Sequence, residues 1–196
     1  MKAGLMLAVN PDVEREEYDY YATDPWAAYK MKDEWWRIGI GGKKIWECAC
    51  GEGHLSKALE ELGYDVRSTD LIDRGYGDQL DFLLCNEPWD GDIVTNPPFK
   101  LANEFVEHSM DILADCHKAA FFLKIQYLET PKRAELFKRC GLRYVVVNSE
   151  RVCCAKNGEF DQYFKYRDGH YTGGTQLYAW FVFEKGWKGD VQLRWV

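Results

Sequence analysis

The sequence predicts an α/β fold: a doubly wound, mostly parallel, seven-stranded sheet with an antiparallel last strand. Three observations lead there. Between residues 43 and 140, short strand-like runs alternate with stretches of helical periodicity, the pattern of a parallel sheet with crossover helices. Residues 119–125 (AAFFLKI) make an apolar run suited to a central strand covered on both faces. Residues 144–148 (YVVVN) and 177–183 (LYAWFVF) both read as strands with no helical pattern between them, so this pair is expected to be antiparallel.

Each element has a local reason. Residues 1–20 are polar and acidic and are expected to form a loosely ordered arm. Asp24 followed by Pro25 reads as an N-cap and a proline at the first helical position, with a helix through residues 31–36. Residues 43–48 (KKIWEC) are the first strand. Leu55, Ala58, Leu59 and Leu62 recur at helical spacing, and Gly63 stops that helix. Residues 64–69 (YDVRST) are the second strand, with Asp70 at its carboxyl end; a third is expected at 81–84 and a fourth at 92–95. Phe105, Val106, Met110 and Leu113 share one face of a helix over 101–114, and residues 131–140 form a shorter one.

The chain of 196 residues is expected to be one domain over 1–196. It contains no apolar run approaching the ~18 residues of a membrane span, and its N-terminal apolar run gives way too soon to acids for a signal peptide. The 7 cysteines form no C-x-x-C pair and no metal-ligand spacing with histidine, so reduced thiols and a cytoplasmic location are expected, with no metal site. The net charge of −7 is unevenly spread: residues 1–118 carry 12 basic and 24 acidic side chains, and residues 119–196 carry 13 and 8. Two surfaces with different partners are the expectation.

In doubly wound sheets, ligands bind beyond the carboxyl ends of the strands. After the first strand comes ECACGEGHL (47–55). Gly51 and Gly53 permit a tight turn and close approach of a ligand to the backbone, and the following helix offers free N–H groups. Glu47 at the strand end would repel a pyrophosphate and suits a cation, such as the amino group of an amino acid. Asp70 can accept hydrogen bonds from two ribose hydroxyls. An adenosine bearing an amino acid satisfies both acids, which points to S-adenosylmethionine (SAM). Asp81 and Phe82 could then take the adenine, the carboxylate accepting from its amine and the ring packing on its face.

The fourth strand runs into Asn96-Pro97-Pro98-Phe99. Two prolines remove two backbone donors and fix two φ angles, so the loop is stiff. An exocyclic amine is a poor nucleophile because its lone pair is delocalised into the ring. Two fixed acceptors, the Asn96 side-chain oxygen and the Pro97 carbonyl, could draw its nitrogen toward tetrahedral geometry. Phe99 offers a face on which a base stacks. The methyl leaves a sulfonium and gives S-adenosylhomocysteine, so no strong base is needed.

ECACGEG, then an acid after the next strand, then NPPF resembles the SAM-dependent amino-methyltransferases. DYYATDPW (19–26) resembles their N-terminal SAM-contacting segment, and LYAWFVFEKGW (177–187) resembles the C-terminal strand of bacteriophage-type DNA adenine-N6 methyltransferases. The resemblance implies a class I, Rossmann-like methyltransferase fold in a bacterial or phage-infected cell. It implies catalytic Asn96, Pro97 and Phe99, and SAM contacts from Thr23, Glu47, Gly51, Gly53, Asp70, Asp81, Phe82 and Asn96.

The substrate is expected to meet Pro98, Phe99, Lys124, Arg133, Lys165 and Arg167. Lys124 and Arg133 belong to a basic group with Lys132, Lys138, Arg139 and Arg143; Lys165 and Arg167 lie in an aromatic, glycine-bounded stretch within a mobile segment over 149–176. DNA is the favoured substrate, with base flipping required in a duplex. A homodimer would double the basic surface. RNA adenine, a protein glutamine amide, and a non-catalytic SAM- or nucleic-acid-binding module are the alternatives. Cytosine-C5 chemistry is disfavoured because no Pro-Cys nucleophile occurs, and a nicotinamide dehydrogenase is disfavoured by Glu47.

Overall fold

The computed structural model describes residues 21–152, 154, 155, 158, 160, 165–167, 170–172 and 176–196, with backbone alone at 165–167 and 170–172. The expected arm at 1–20, and part of the expected mobile segment at 149–176, lie outside the described residues. In chain order the elements are β1 (Ala22–Thr23), α1 (Trp26–Tyr29), α2 (Lys32–Arg37), β2 (Lys44–Glu47), α3 (His54–Glu61), β3 (Asp65–Asp70), β4 (Asp78–Gln79), β5 (Asp92–Thr95), α4 (Ala102–Ile112), β6 (Lys118–Lys124), α5 (Pro131–Cys140), β7 (Leu142–Val147), β8 (Cys154–Ala155), β9 (Lys165–Arg167), β10 (His170–Thr172), β11 (Tyr178–Glu184) and β12 (Gln192–Trp195).

The central sheet has eight strands in the order β12-β7-β11-β6-β5-β2-β3-β4. All its neighbouring pairs are parallel except those of β11, which runs antiparallel to both β6 and β7. Side chains alternate across the pleat and so build two cores. Trp46, Ile93, Phe121 and Phe181 pack on one face with Phe105 and Val106 of α4 and Leu136 of α5. Ile45, Val94, Phe122 and Trp180 pack on the other with Ala28 of α1, Trp35 of α2 and Leu59 of α3. This three-layer arrangement is the doubly wound fold expected from the sequence.

Two expectations are corrected. The sheet has eight strands, not seven, because Gln192–Trp195 adds a parallel edge strand beyond β7; the antiparallel strand is therefore the penultimate one. Residues 82–84 form a 3-10 turn in place of the third strand, which lies earlier, at Asp78–Gln79. The Asp81 side chain accepts from Leu83 N at 3.0 Å, and this local cap competes successfully with strand pairing. Before α1, Trp26 N donates to Asp24 Oδ1 at 2.9 Å, but the N-cap position itself falls on Pro25, one residue later than expected.

Candidate active site

The carboxyl ends of β2, β3 and β5 open into a cavity of about 380 Å³. Its wall includes Glu47 from β2, Asp70 from β3, Asp81 and Phe82 from the 3-10 turn, and Thr23 from β1. The whole Asn96-Pro97-Pro98-Phe99 loop completes it. Nine residues singled out in the sequence thus face one space, although they are spread from position 23 to 99.

Gly51 and Gly53 shape the site without lining it, whereas Glu47, Cys48, Ala49, Cys50, His54 and Leu55 of the same loop stand in the wall. Gly51 (φ 55°) and Gly53 (φ 81°) adopt left-handed backbone. Gly51 N donates to Asp70 Oδ2 at 2.8 Å, which links the first loop to the second strand. A Cβ on Gly53 would lie 2.3 Å from Tyr76 Cδ1, so this glycine makes room for the tyrosine ring. Gly53→Ala combines that clash with strained φ and is expected to destabilise the protein by roughly 1–3 kcal/mol in urea denaturation.

Glu47 is 1% exposed. Its carboxyl oxygen accepts from Thr95 Oγ1, the last residue of β5, and more weakly from Ala49 N at 3.3 Å. Burial pushes its pKa up to about 8; these hydrogen bonds offset the rise only partly, and nearby Asp70 adds to it. A buried acid in this state is stabilised by any cation placed against it.

Both oxygens of Asp70 accept backbone N–H groups, Oδ2 from Gly51 and Oδ1 from Ile72 at 3.0 Å. The carboxylate is therefore held rigidly, with lone pairs left over for further donors. Leu71, Ile72 and Leu83 add an apolar lining beside Asp70 and Asp81. Phe82 also borders the cavity but is only 2% exposed, and it packs on Phe105, Trp46 and His108 with ring centroids 4.9–5.2 Å apart.

Asn96 sits where β5 ends. Its Nδ2 donates to Thr23 Oγ1 at 2.9 Å and to the Tyr21 carbonyl at 3.2 Å, with Cys154 Sγ at 3.5 Å. Its Oδ1 is buried and has no hydrogen-bond partner among the described residues. A buried acceptor left unpaired costs about 1–3 kcal/mol, so its retention needs a reason. Pro97 is buried, and the Pro98 carbonyl accepts from Leu101 N at 2.9 Å, closing the turn that leads into α4. The Phe99 ring lies between Tyr21 (centroids 6.4 Å apart, interplanar angle 27°) and Tyr178 (6.1 Å), with Lys124 Nζ 4.7 Å from its centroid.

Of the expected substrate contacts, Pro98, Phe99 and Lys124 come together. Arg133 does not join them: its guanidinium covers the Tyr127 ring at 4.6 Å and donates to the Gln126 carbonyl. The expected basic group is also partly neutralised, since Lys138 pairs with Glu135, Arg139 with Glu107 and Arg143 with Glu184. Lys165 and Arg167 are placed as backbone in the β9–β10 hairpin, and their side chains lie outside the described residues. Sequence reasoning missed Tyr21, Leu71, Ile72, Leu83 and Lys100 in the wall. Tyr21 stood inside the quoted DYYATDPW stretch, and Leu71 and Ile72 directly follow Asp70; proximity to those marks was the available signal. Cysteines near the site are protonated at neutral pH, because burial pushes Cys50 and Cys154 up to about 12.

No protein-family model matches the chain, and no curated protein matches its sequence. Solved structures do match its shape. Against the type IIG restriction endonuclease BpuSI the TM-score is 0.60 at 12% identity, over 89% of this chain and 27% of that one. Against a candidate RNA methyltransferase from Pyrococcus horikoshii the values are 0.57 and 16%, over 90% of each chain. Against a candidate class I SAM-dependent methyltransferase from Listeria monocytogenes they are 0.59 and 15%, over 89% of this chain and 65% of that one. The chain thus spans about a quarter of the restriction enzyme's length and most of the archaeal protein's. The strand order, the antiparallel β11 and these likenesses agree on one conclusion: the chain has the class I, Rossmann-like methyltransferase fold.

Proposed function

We propose that this chain is a SAM-dependent N-methyltransferase acting on the exocyclic N6 of adenine in DNA. The observation that carries the reading is the Asn96 amide in the cavity wall, whose nitrogen is tied back by protein acceptors while its oxygen is buried without a partner among the described residues. That is the arrangement an incoming N–H donor needs.

The residues present fit SAM. Glu47 would take the ammonium and Asp70 the ribose hydroxyls, while Leu71, Ile72, Leu83 and Asp81 of the same wall would hold the adenine. When bound, SAM supplies a methyl group on a positively charged sulfonium. The chain's own residues do the rest. Asn96 Oδ1 and the Pro97 carbonyl accept the two N–H bonds of the target amine and turn its lone pair out of conjugation. Phe99 holds the base by stacking, and its prolines hold both acceptors in place before reaction. The new N–C bond forms as the S–C bond breaks, S-adenosylhomocysteine departs, and the extra proton leaves the nitrogen for solvent.

Nucleic acid is favoured as the substrate class by the aromatic slot around Phe99 with Lys124 beside it and Lys100 in the wall. A restriction endonuclease and a candidate RNA methyltransferase among the similar folds point the same way. The test is tritiated methyl transfer to adenine-containing DNA, to RNA and to protein in parallel, followed by nucleoside digestion. N6-methyladenine from DNA is the expected product. Label in RNA or protein alone would move the assignment to those substrates. Phe99→Ala is expected to raise KM for the nucleic acid roughly tenfold or more, the stacking share of one base; an unchanged KM would remove Phe99 from the substrate site.

A further inference from the structure

We infer that Thr23 is a positioning residue that anchors the Asn96 amide, whose facing is set by the neighbouring Tyr21 carbonyl, through a two-stranded clasp made from two distant parts of the chain. The inference rests on the reading of Asn96 as the acceptor for the target amine.

The terminal torsion of an asparagine is broad and roughly two-fold, so its amide can present either oxygen or nitrogen to the cavity. Only the oxygen can accept from an amine. The choice is made by what meets Nδ2. The Tyr21 carbonyl, at 3.2 Å, can only accept, so a flipped amide would set oxygen against oxygen. Thr23 Oγ1, at 2.9 Å and on a residue only 5% exposed, is the shortest of the three contacts; a hydroxyl can accept or donate, so it holds the amide in place while the Tyr21 carbonyl sets its direction. Cys154 Sγ, at 3.5 Å, is the weakest acceptor of the set.

These contacts are organised, not incidental. β1 pairs antiparallel with β8 in the register Ala22↔Ala155 and Thr23↔Cys154. Residues directly opposite one another project on the same side of a ribbon. Both side chains therefore reach the one amide. The clasp joins the segment before α1 to the segment after β7, so the placement of Asn96 depends on both. Thr23 also lines the cavity, and its hydroxyl oxygen accepts from Asn96 Nδ2.

The test compares Thr23→Val with Thr23→Ser in methyl transfer from tritiated SAM to adenine-containing DNA, with SAM binding measured separately by calorimetry. Thr23→Val is expected to lower kcat roughly 10- to 100-fold, as a small misplacement of a catalytic group does, with no material change in SAM affinity; Thr23→Ser is expected to restore most of it. Thr23→Ala removes the hydroxyl without setting a new methyl against Asn96 and is expected to match Thr23→Val, which covers the case in which valine does not fold. A readout independent of turnover is the Asn96 side-chain 15N–H2 pair, whose hydrogen exchange is expected to quicken in both variants and not in Thr23→Ser. In an Asn96→Ala background, Thr23→Val is expected to cause no further fall. The inference is overturned by an unchanged kcat, by weakened SAM binding whose effect vanishes at saturation, or by losses that multiply with Asn96→Ala. A wild-type rate in Asn96→Ala itself would instead sink the underlying reading of the site, whereas an inactive Asn96→Ala beside a fully active Thr23→Val sinks only this inference.

Discussion

Replacing Asn96 with alanine is expected to lower kcat for methyl transfer roughly 10²- to 10³-fold while SAM affinity stays within about threefold, the signature of an interaction realised in the transition state. The structure supplies the reason for so selective an effect. Asn96 Oδ1 has no partner to lose among the described residues, so the variant removes an acceptor that they do not use. Its Nδ2 does hold Thr23 and the Tyr21 carbonyl, and those two acceptors lose a donor. Loss of the donor and removal of the unpaired acceptor act in opposite directions on stability, so the net change is expected to stay under about 2 kcal/mol. Measured together, turnover, calorimetric SAM affinity and urea denaturation separate the cases. A large loss of stability with a proportionate loss of rate would make Asn96 a structural residue and undo the mechanism.

How much of this was legible beforehand depended on whether chemistry was carried by neighbours in sequence. KKIWEC, YDVRST and DIVT became β2, β3 and β5 because each is a short run bounded by a glycine, an acid or a proline. The acid or amide at the end of each run then had to lie at the sheet's carboxyl edge, so Glu47, Asp70 and Asn96 could be placed from the sequence. β4 could not: two residues, Asp78 and Gln79, carry no period. β12 alternates in QLRW but is short and largely exposed, and its pairing with β7 is a tertiary fact. The slot around Phe99 draws Tyr21 and Tyr178 from opposite ends of the chain. Arg139 is matched by Glu107 across 32 positions, so a count of charges overstated the free basic surface. Thr23 was noticed for its context, but its hydrogen bond with Asn96, across 73 positions, could not be read from the sequence.

Glu47→Gln is expected to separate stability from function in opposite directions. The folded protein holds this carboxyl near pKa 8, against an ordinary value of 4.5. Between those values the folded state binds a proton that the unfolded chain has released, so stability falls as pH rises from about 4.5 to 8 and is level above. Glutamine is neutral throughout and avoids that loss. The variant is therefore expected to gain roughly 2–3 kcal/mol at pH 8.5, or some 5–10 °C in Tm, and progressively less toward pH 5. Binding should show the reverse. A ligand ammonium needs the carboxylate, so wild-type affinity for SAM is expected to rise about tenfold per pH unit up to roughly pH 8, with one proton released on binding below that point. Calorimetry in buffers of different ionisation enthalpy counts that proton directly. Glu47→Gln is expected to bind roughly a hundredfold more weakly at pH 8 and to release no proton, since it leaves a buried charge unmatched. A flat pH profile in the wild type, or a glutamine variant that binds as tightly, would mean that the ammonium does not sit on Glu47. The Thr95 hydroxyl and Ala49 N–H offset the burial of this carboxyl only partly, and a folded chain gains nothing from that imbalance by itself. An acid kept at the end of β2 despite its effect on stability is best explained by the cation it receives.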